Sequence, residues 1–137
     1  MAGEGEEIED DASILNDARF LRRIPPSRVA LGPRPDSSNF EERSPDGGLS
    51  VTLWESEGDL EATVEEKPSF GIVRVTAAQL REAGFAIARK PLDHNPNHCE
   101  CFGKPNQKRR SALSKVAVWV KPPDDCDAAD FGELDSL

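Results

Sequence analysis

Charge falls along this chain in three blocks, and that division limits the fold more than any single motif. Residues 1–17 carry seven carboxylates (Glu4, Glu6, Glu7, Glu9, Asp10, Asp11, Asp17) and no Lys or Arg, and residues 122–137 carry six more (Asp124, Asp125, Asp127, Asp130, Glu133, Asp135). All 17 Lys and Arg side chains therefore lie in residues 18–121 against 13 Asp and Glu, so a chain of net charge −9 is a mildly basic body between two acidic arms. Like-charged segments rich in Gly, Asp and Glu bury too little apolar surface to offset their ordering entropy. Residues 1–17 and 122–137 are accordingly expected to be disordered, and 18–121 to form one compact domain. Ile14 and Leu15 in one arm, and Phe131 and Leu134 in the other, are the apolar residues able to dock on the body or on a partner.

No run approaches the roughly 20 apolar residues needed to cross a bilayer, so no membrane span is expected. The acidic start lacks the positive n-region of a secretory signal. Three cysteines, an odd number in unrelated contexts, argue against a disulfide framework and for a reducing, cytoplasmic setting.

The section 25–48, with Pro25, Pro26 and Pro33 and the turn signal Asp46-Gly47-Gly48, reads as irregular and extended. Regular patterning begins at Leu49, where Leu49, Val51 and Leu53 alternate with polar residues as in a half-buried strand. Ser56 or Asp59 then caps a short helix that Pro68 ends, and Phe70–Val75 is a strand by its β-branched content. Thr76 with Gln79 makes a capping box and Gly84 stands at a C′ position, which predicts a helix over Ala77–Ala83. Phe85–Arg89 and His98–Phe102 read as two further strands around the loop Lys90–Asn97. Asn106 caps a last helix running to about Val120, with Leu113, Val116 and Val120 as its apolar stripe and Pro122 as its stop. The order predicts a small α+β or α/β domain, with a sheet of about four strands packed by two or three helices.

Arg22-Arg23-Ile24-Pro25-Pro26, Ser37-Ser38-Asn39-Phe40, Leu49-Ser50-Val51, Asn95-Pro96 with His98, Gly103-Lys104, and Ala117 with Trp119-Val120 together resemble a family of small uncharacterised bacterial proteins with no established activity. The likeness covers about residues 20–121. It implies a bacterial, cytoplasmic origin and one compact domain, and it transfers no catalytic residue. Cys99 and Cys101 depart from the mostly aliphatic residues of that family at these positions, which argues against essential thiols.

Both histidines and two of the three cysteines lie in Asp93–Cys101. A zinc site from His94, His98, a thiolate and Cys126 is one reading. Against it, Cys99 and Cys101 at strand spacing are about 7 Å apart, too far for two sulfurs on one metal. Two small core hydrophobes are the better reading, and no metal or cofactor is expected. The same loop offers His98 as general acid or base, with Ser50 or Cys99 as nucleophile. The plain alternative for His98 is a histidine bonded to backbone carbonyls. No nucleophile elbow, Walker loop or dinucleotide fingerprint accompanies it.

Two basic clusters are candidates for binding an anion or a partner. Lys104, Lys108, Arg109, Arg110 and Lys115 surround the start of the last helix, where cations oppose the helix dipole and suit an anionic ligand such as nucleic acid, a nucleotide or the protein's own acidic arm. Aromatic residues for stacking single-stranded bases are scarce there. Arg22 and Arg23, with Arg19, Arg28 and Arg34, are interleaved with apolar residues, as in a protein-binding or ordinary edge strand. The favoured expectation is a non-catalytic accessory or adaptor protein binding a protein partner, its acidic arms tuning the contact. The alternative is a small enzyme acting on a phosphate-bearing or nucleotide substrate through His98 and nearby cations, and a concave pocket containing His98 discriminates in its favour.

Overall fold

The computed structural model describes residues 9–26, 29–30, 34–35, 40, 48–64, 67–103, 106–124, 126, 131, 134–135 and 137. Along the chain these form β1 (Arg19–Ile24), β2 (Val29–Ala30), β3 (Arg34–Pro35), β4 (Leu49–Leu53), α1 (Gly58–Val64), β5 (Gly71–Thr76), α2 (Ala77–Glu82), β6 (Ala86–Arg89), β7 (His98–Phe102), α3 (Gln107–Val116) and β8 (Val118–Lys121). The class is α+β. One six-stranded sheet has the order β6-β7-β4-β1-β5-β8 and is antiparallel at every pairing, while β2 and β3 form a separate two-stranded ladder.

The four strands read from the sequence, β4 to β7, are present, and the sheet exceeds the expected four by β1 and β8. β1 is no edge strand: it lies at the centre, pairing β5 from Arg19↔Thr76 to Ile24↔Gly71 and β4 through Phe20↔Leu53 and Leu21↔Thr52. Phe20 and Ile24 are buried on one face and Leu21 on the other, as expected of an interior strand covered on both sides. Its three arginines concealed that character in the sequence. β8 arises because α3 stops at Val116 instead of about Val120: Ala117 turns extended (φ −66, ψ 136), and Val118–Lys121 pairs with β5. β-branched Val118 and Val120 around Trp119 favour the strand. Of the expected stripe, Leu113 is buried whereas Val116 is 41% exposed.

The main core forms on the face bearing Phe20, Ile24, Val51, Val73, Val75, Cys99, Cys101 and Trp119, and Ala77 and Leu80 of α2 and Leu113 of α3 close it. The capping box on α2 is complete: the Thr76 hydroxyl accepts from Gln79 N at 3.2 Å and the Gln79 side chain accepts from Thr76 N at 2.9 Å. Gly84 follows with φ +100, a conformation that a side chain would strain. Helix α1 covers the other face of the sheet, packing over β1, β4 and β5.

Residues 9–18, expected within the disordered arm or at its edge, instead run as a strap over α2 and β6. Ile14 is buried in the core, as its docking capacity allowed, and Leu15 is exposed. The Arg81 guanidinium organises the strap, donating to Asp10 Oδ1 (3.1 Å), Asn16 Oδ1 (2.7 Å), Asp11 O (3.1 Å) and Ile14 O (2.8 Å). Asp11 N donates to Ile87 O, and Asp11 pairs with Arg89 at 3.1 Å. Hydrogen bonds from the Ser13 hydroxyl and amide, then Arg89, hold the Asp11 carboxyl below its ordinary value. Ordering is favourable here because Asp10 and Asp11 find guanidinium and amide donors and one apolar residue enters the core. In the other arm Phe131 meets Trp119 edge-on at 4.8 Å between centroids, and Asp135 pairs with Arg74 at 2.8 Å, a hydrogen bond that lowers the Asp135 carboxyl value. Residues 1–8 and much of 122–137 lie outside the described residues, as does most of the extended section 25–48.

Candidate functional site

Strand alternation splits each of the chemistry-bearing segments between the two faces. On β7, Cys99 and Cys101 enter the core, opposite Val51 and Leu49 of β4, while His98 and Glu100 take the α1 face beside Thr52 and Ser50. Burial pushes the Cys99 thiol up to about 11 and raises that of Cys101 as well, so both behave as core hydrophobes rather than nucleophiles. His98 and Cys99 therefore cannot converge on one metal from this strand. Among the described residues no group of three His, Cys, Asp or Glu side chains is placed to hold a metal ion. On β1, Arg23 shares the α1 face with Leu21, whereas Arg22 alternates to the other face, its Nη1 donating to Ser50 O at 2.7 Å.

The α1 face holds a cleft of about 210 Å³, walled by Leu21, Arg22, Arg23, Ser50, Val51, Thr52, Ala62, Thr63, Leu92, His94, Asn95 and His98. Four residues singled out from the sequence, Arg22, Arg23, Ser50 and His98, thus meet at one place. Among the described residues the Arg23 side chain has no hydrogen-bond or ion-pair partner, and it lines the cleft. His98 Nδ1 lies 2.8 Å from Lys90 O. A carbonyl only accepts, so Nδ1 carries the proton, and in the neutral ring Nε2 is left as the basic nitrogen. The backbone-bonded histidine and the acid–base histidine are therefore compatible descriptions of one ring. Ser50 Oγ donates to Glu100 Oε2 at 3.0 Å, and the Glu100 side chain is buried at 6% exposure.

The turn Leu92–Asn95, closed by reciprocal backbone bonds of 3.0 Å, brings His94 to the rim. Asn95 Nδ2 donates to Thr52 Oγ1 at 2.9 Å and ties that turn to β4; its Oδ1 is buried without a partner. Asp59, buried at the start of α1, accepts from Glu55 N (2.8 Å), Ser56 N (2.9 Å) and Asn97 Nδ2 (3.0 Å), locking the helix to the loop before β7. Glu100, Thr52, Asn95 and His94 were not in the sequence-derived anion or acid–base set. The i, i+2 relation of His98 and Glu100 was the available signal, since it puts both on the face opposite the cysteines.

Lys108, Arg109 and Arg110 do not join the cleft. They stand in the first turn of α3, whose Asn106 cap accepts from Arg109 N at 2.9 Å, and Arg109 borders a separate groove between α2 and α3. Lys104 lies outside the described residues. Among the described residues the arm carboxylates pair with Arg74, Arg81, Arg89 and Lys121, none of them in the expected set. Nor is any described helix long and apolar enough to cross a membrane.

Comparison with known proteins finds no matching family model and no matching solved structure. A stretch of 93 residues is 34% identical to a chaperone protein HscA homolog of Acidovorax sp. (strain JS42), covering 67% of this chain and 14% of that protein. The HscA homolog of Methylibium petroleiphilum is 37% identical over 89 residues, 64% of this chain and 13% of its own length. The fructose-1,6-bisphosphate aldolase/phosphatase of Pyrobaculum neutrophilum is 32% identical over 113 residues, 81% of this chain and 25% of the enzyme. The chain spans a quarter or less of each relative.

Proposed function

We propose that the protein binds a small phosphate-bearing molecule in the cleft on the α1 face and acts on it with His98 as general acid or base. The observation that carries this reading is the convergence of the unpartnered Arg23 guanidinium with His94 and His98 on one cleft of about 210 Å³. Arg23 supplies a planar donor fork suited to phosphate oxygens. His98, anchored through Nδ1, has its ring orientation fixed and Nε2 for proton transfer. The size suits a compact ligand, since sites for drug-sized molecules run from about 300 Å³ upward. The partial likeness to an enzyme named for a sugar bisphosphate is compatible with this class of ligand.

Calorimetric titration of the full chain with small phosphate monoesters tests the reading. Saturable binding that weakens in Arg23→Gln, with turnover lost in His98→Gln while its melting temperature stays within a few degrees, supports it. Absence of binding by any ester overturns it. The second reading is the adaptor protein, which the partial identity to two chaperone homologs favours; co-purification of one stoichiometric protein partner whose contact survives Arg23→Gln supports that reading instead.

A further inference from the structure

Ser50 stands opposite Glu100 of β7 and shares the cleft wall with Arg23 of β1, whose side chain has no partner among the described residues. The Ser50 hydroxyl already donates to the buried Glu100 carboxylate at 3.0 Å. Nucleophile and base within hydrogen-bond reach is the arrangement that activates a serine. The sequence offered Ser50 as a nucleophile with His98 as its base; the hydrogen bond joins it to Glu100.

We infer that Ser50 is a covalent nucleophile of the cleft, activated by Glu100, and that it accepts a phosphoryl group from a phosphate monoester. This rests on the reading of the cleft as a phosphate-ester site and adds its reaction. Ser50 Oγ forms a bond to phosphorus as the bond from phosphorus to the ester oxygen breaks. The Oγ proton passes to Glu100, and the departing oxygen takes a proton from the protonated His98 ring. Arg23 holds the phosphoryl oxygens during the transfer. Water then attacks the phosphoserine, giving one proton to His98, while Glu100 returns its proton to Ser50 Oγ and inorganic phosphate leaves. The two acid–base groups have separate tasks because β7 presents them two residues apart on one face, His98 toward the rim turn and Glu100 beneath Ser50.

The experiment uses the full chain and p-nitrophenyl phosphate, quenched in acid at millisecond times and read by peptide mass spectrometry. A phosphoserine at Ser50, absent in Ser50→Ala and formed on the order of a hundredfold more slowly in Glu100→Gln, is the expected result. The wild-type adduct alone suffices should Glu100→Gln fail to fold. Where release depends on Ser50 but no adduct accumulates, partition of product between water and added methanol decides: a ratio constant across leaving groups supports the intermediate, and a varying one overturns it. Release that persists in Ser50→Ala without an adduct overturns the nucleophile while leaving the cleft reading intact. Binding without release or adduct also overturns it, and no binding by any monoester overturns both.

Discussion

Arg81 and Arg23 sit on elements of one sheet-and-helix scaffold and meet opposite ends. Arg81 spends its donors on Asp10, Asn16 and two carbonyls of the strap, and so fastens the N-terminal residues to the body. Arg23 faces a cleft with no partner among the described residues. Among the described residues, arm carboxylates pair with Arg74, Arg81 and Arg89, and none pairs with Arg23. Basic residues of equal charge thus divide into paired ones and one that lines a cleft, a distinction net charge does not contain.

The comparison breaks most readily at the strap. Ile14→Ala removes a side chain that is 3% exposed and should cost about 3 kcal/mol in urea unfolding, the range for a buried isoleucine cut to alanine. A loss under about 1 kcal/mol would show that the strap is not docked in solution. Arg81→Ala leaves four acceptors without their donor and should cost about 2 kcal/mol, discounted because both members of its ion pair are partly exposed. Phosphate-ester affinity, measured on the folded fraction, should be unchanged by it.

Arg23→Gln should behave inversely. Stability is expected to stay within about 0.5 kcal/mol, the usual range where no partner is lost, while affinity for a phosphate monoester falls about tenfold, one charge-assisted hydrogen bond's worth. Equal losses of stability in Arg23→Gln and Arg81→Ala would remove the distinction between them. The smallest effect concerns acid. Asp11 and Asp135 both have folded-state values depressed below 3.8, by Ser13 and by Arg74 respectively. Their stabilisation is present above that unfolded value and is lost as pH falls through the lower folded one. Asp135→Asn should therefore lower stability by less than about 1 kcal/mol at neutral pH and flatten the acid limb below pH 3.8, read by melting temperature against pH.

Much of the local structure was legible. The Thr76–Gln79 capping box, the Gly84 stop and the Asn106 cap are short-range hydrogen-bonding devices that identify themselves from residue type and spacing, and all three are present. Alternation located β4 and β-branched content located β5, because a half-covered strand writes its burial into every second residue and branched side chains favour extended backbone. β1 and β8 escaped because Arg19, Arg22 and Arg23 mask an interior strand and Val116 to Val120 fits a helical stripe as well as an extended one. The candidate site was half legible: Ser50 and His98 were named together as nucleophile and acid or base, whereas Arg23 was named for a separate reason and Glu100 for none.

What the sequence determined by itself is the chemistry available and the periodicity that sorts it: two histidines in one short segment, thiols at strand spacing, and apolar residues in the acidic arms able to dock. Tertiary structure alone decided which groups meet. Ser50 reaches Glu100 across fifty residues, Arg23 comes to line the same cleft as Ser50, and Asp10 finds Arg81 across the body. Those pairings depend on strand order and on which face each side chain takes, and a shift of one residue in register would exchange the cleft face for the core. Local propensity has no term for either.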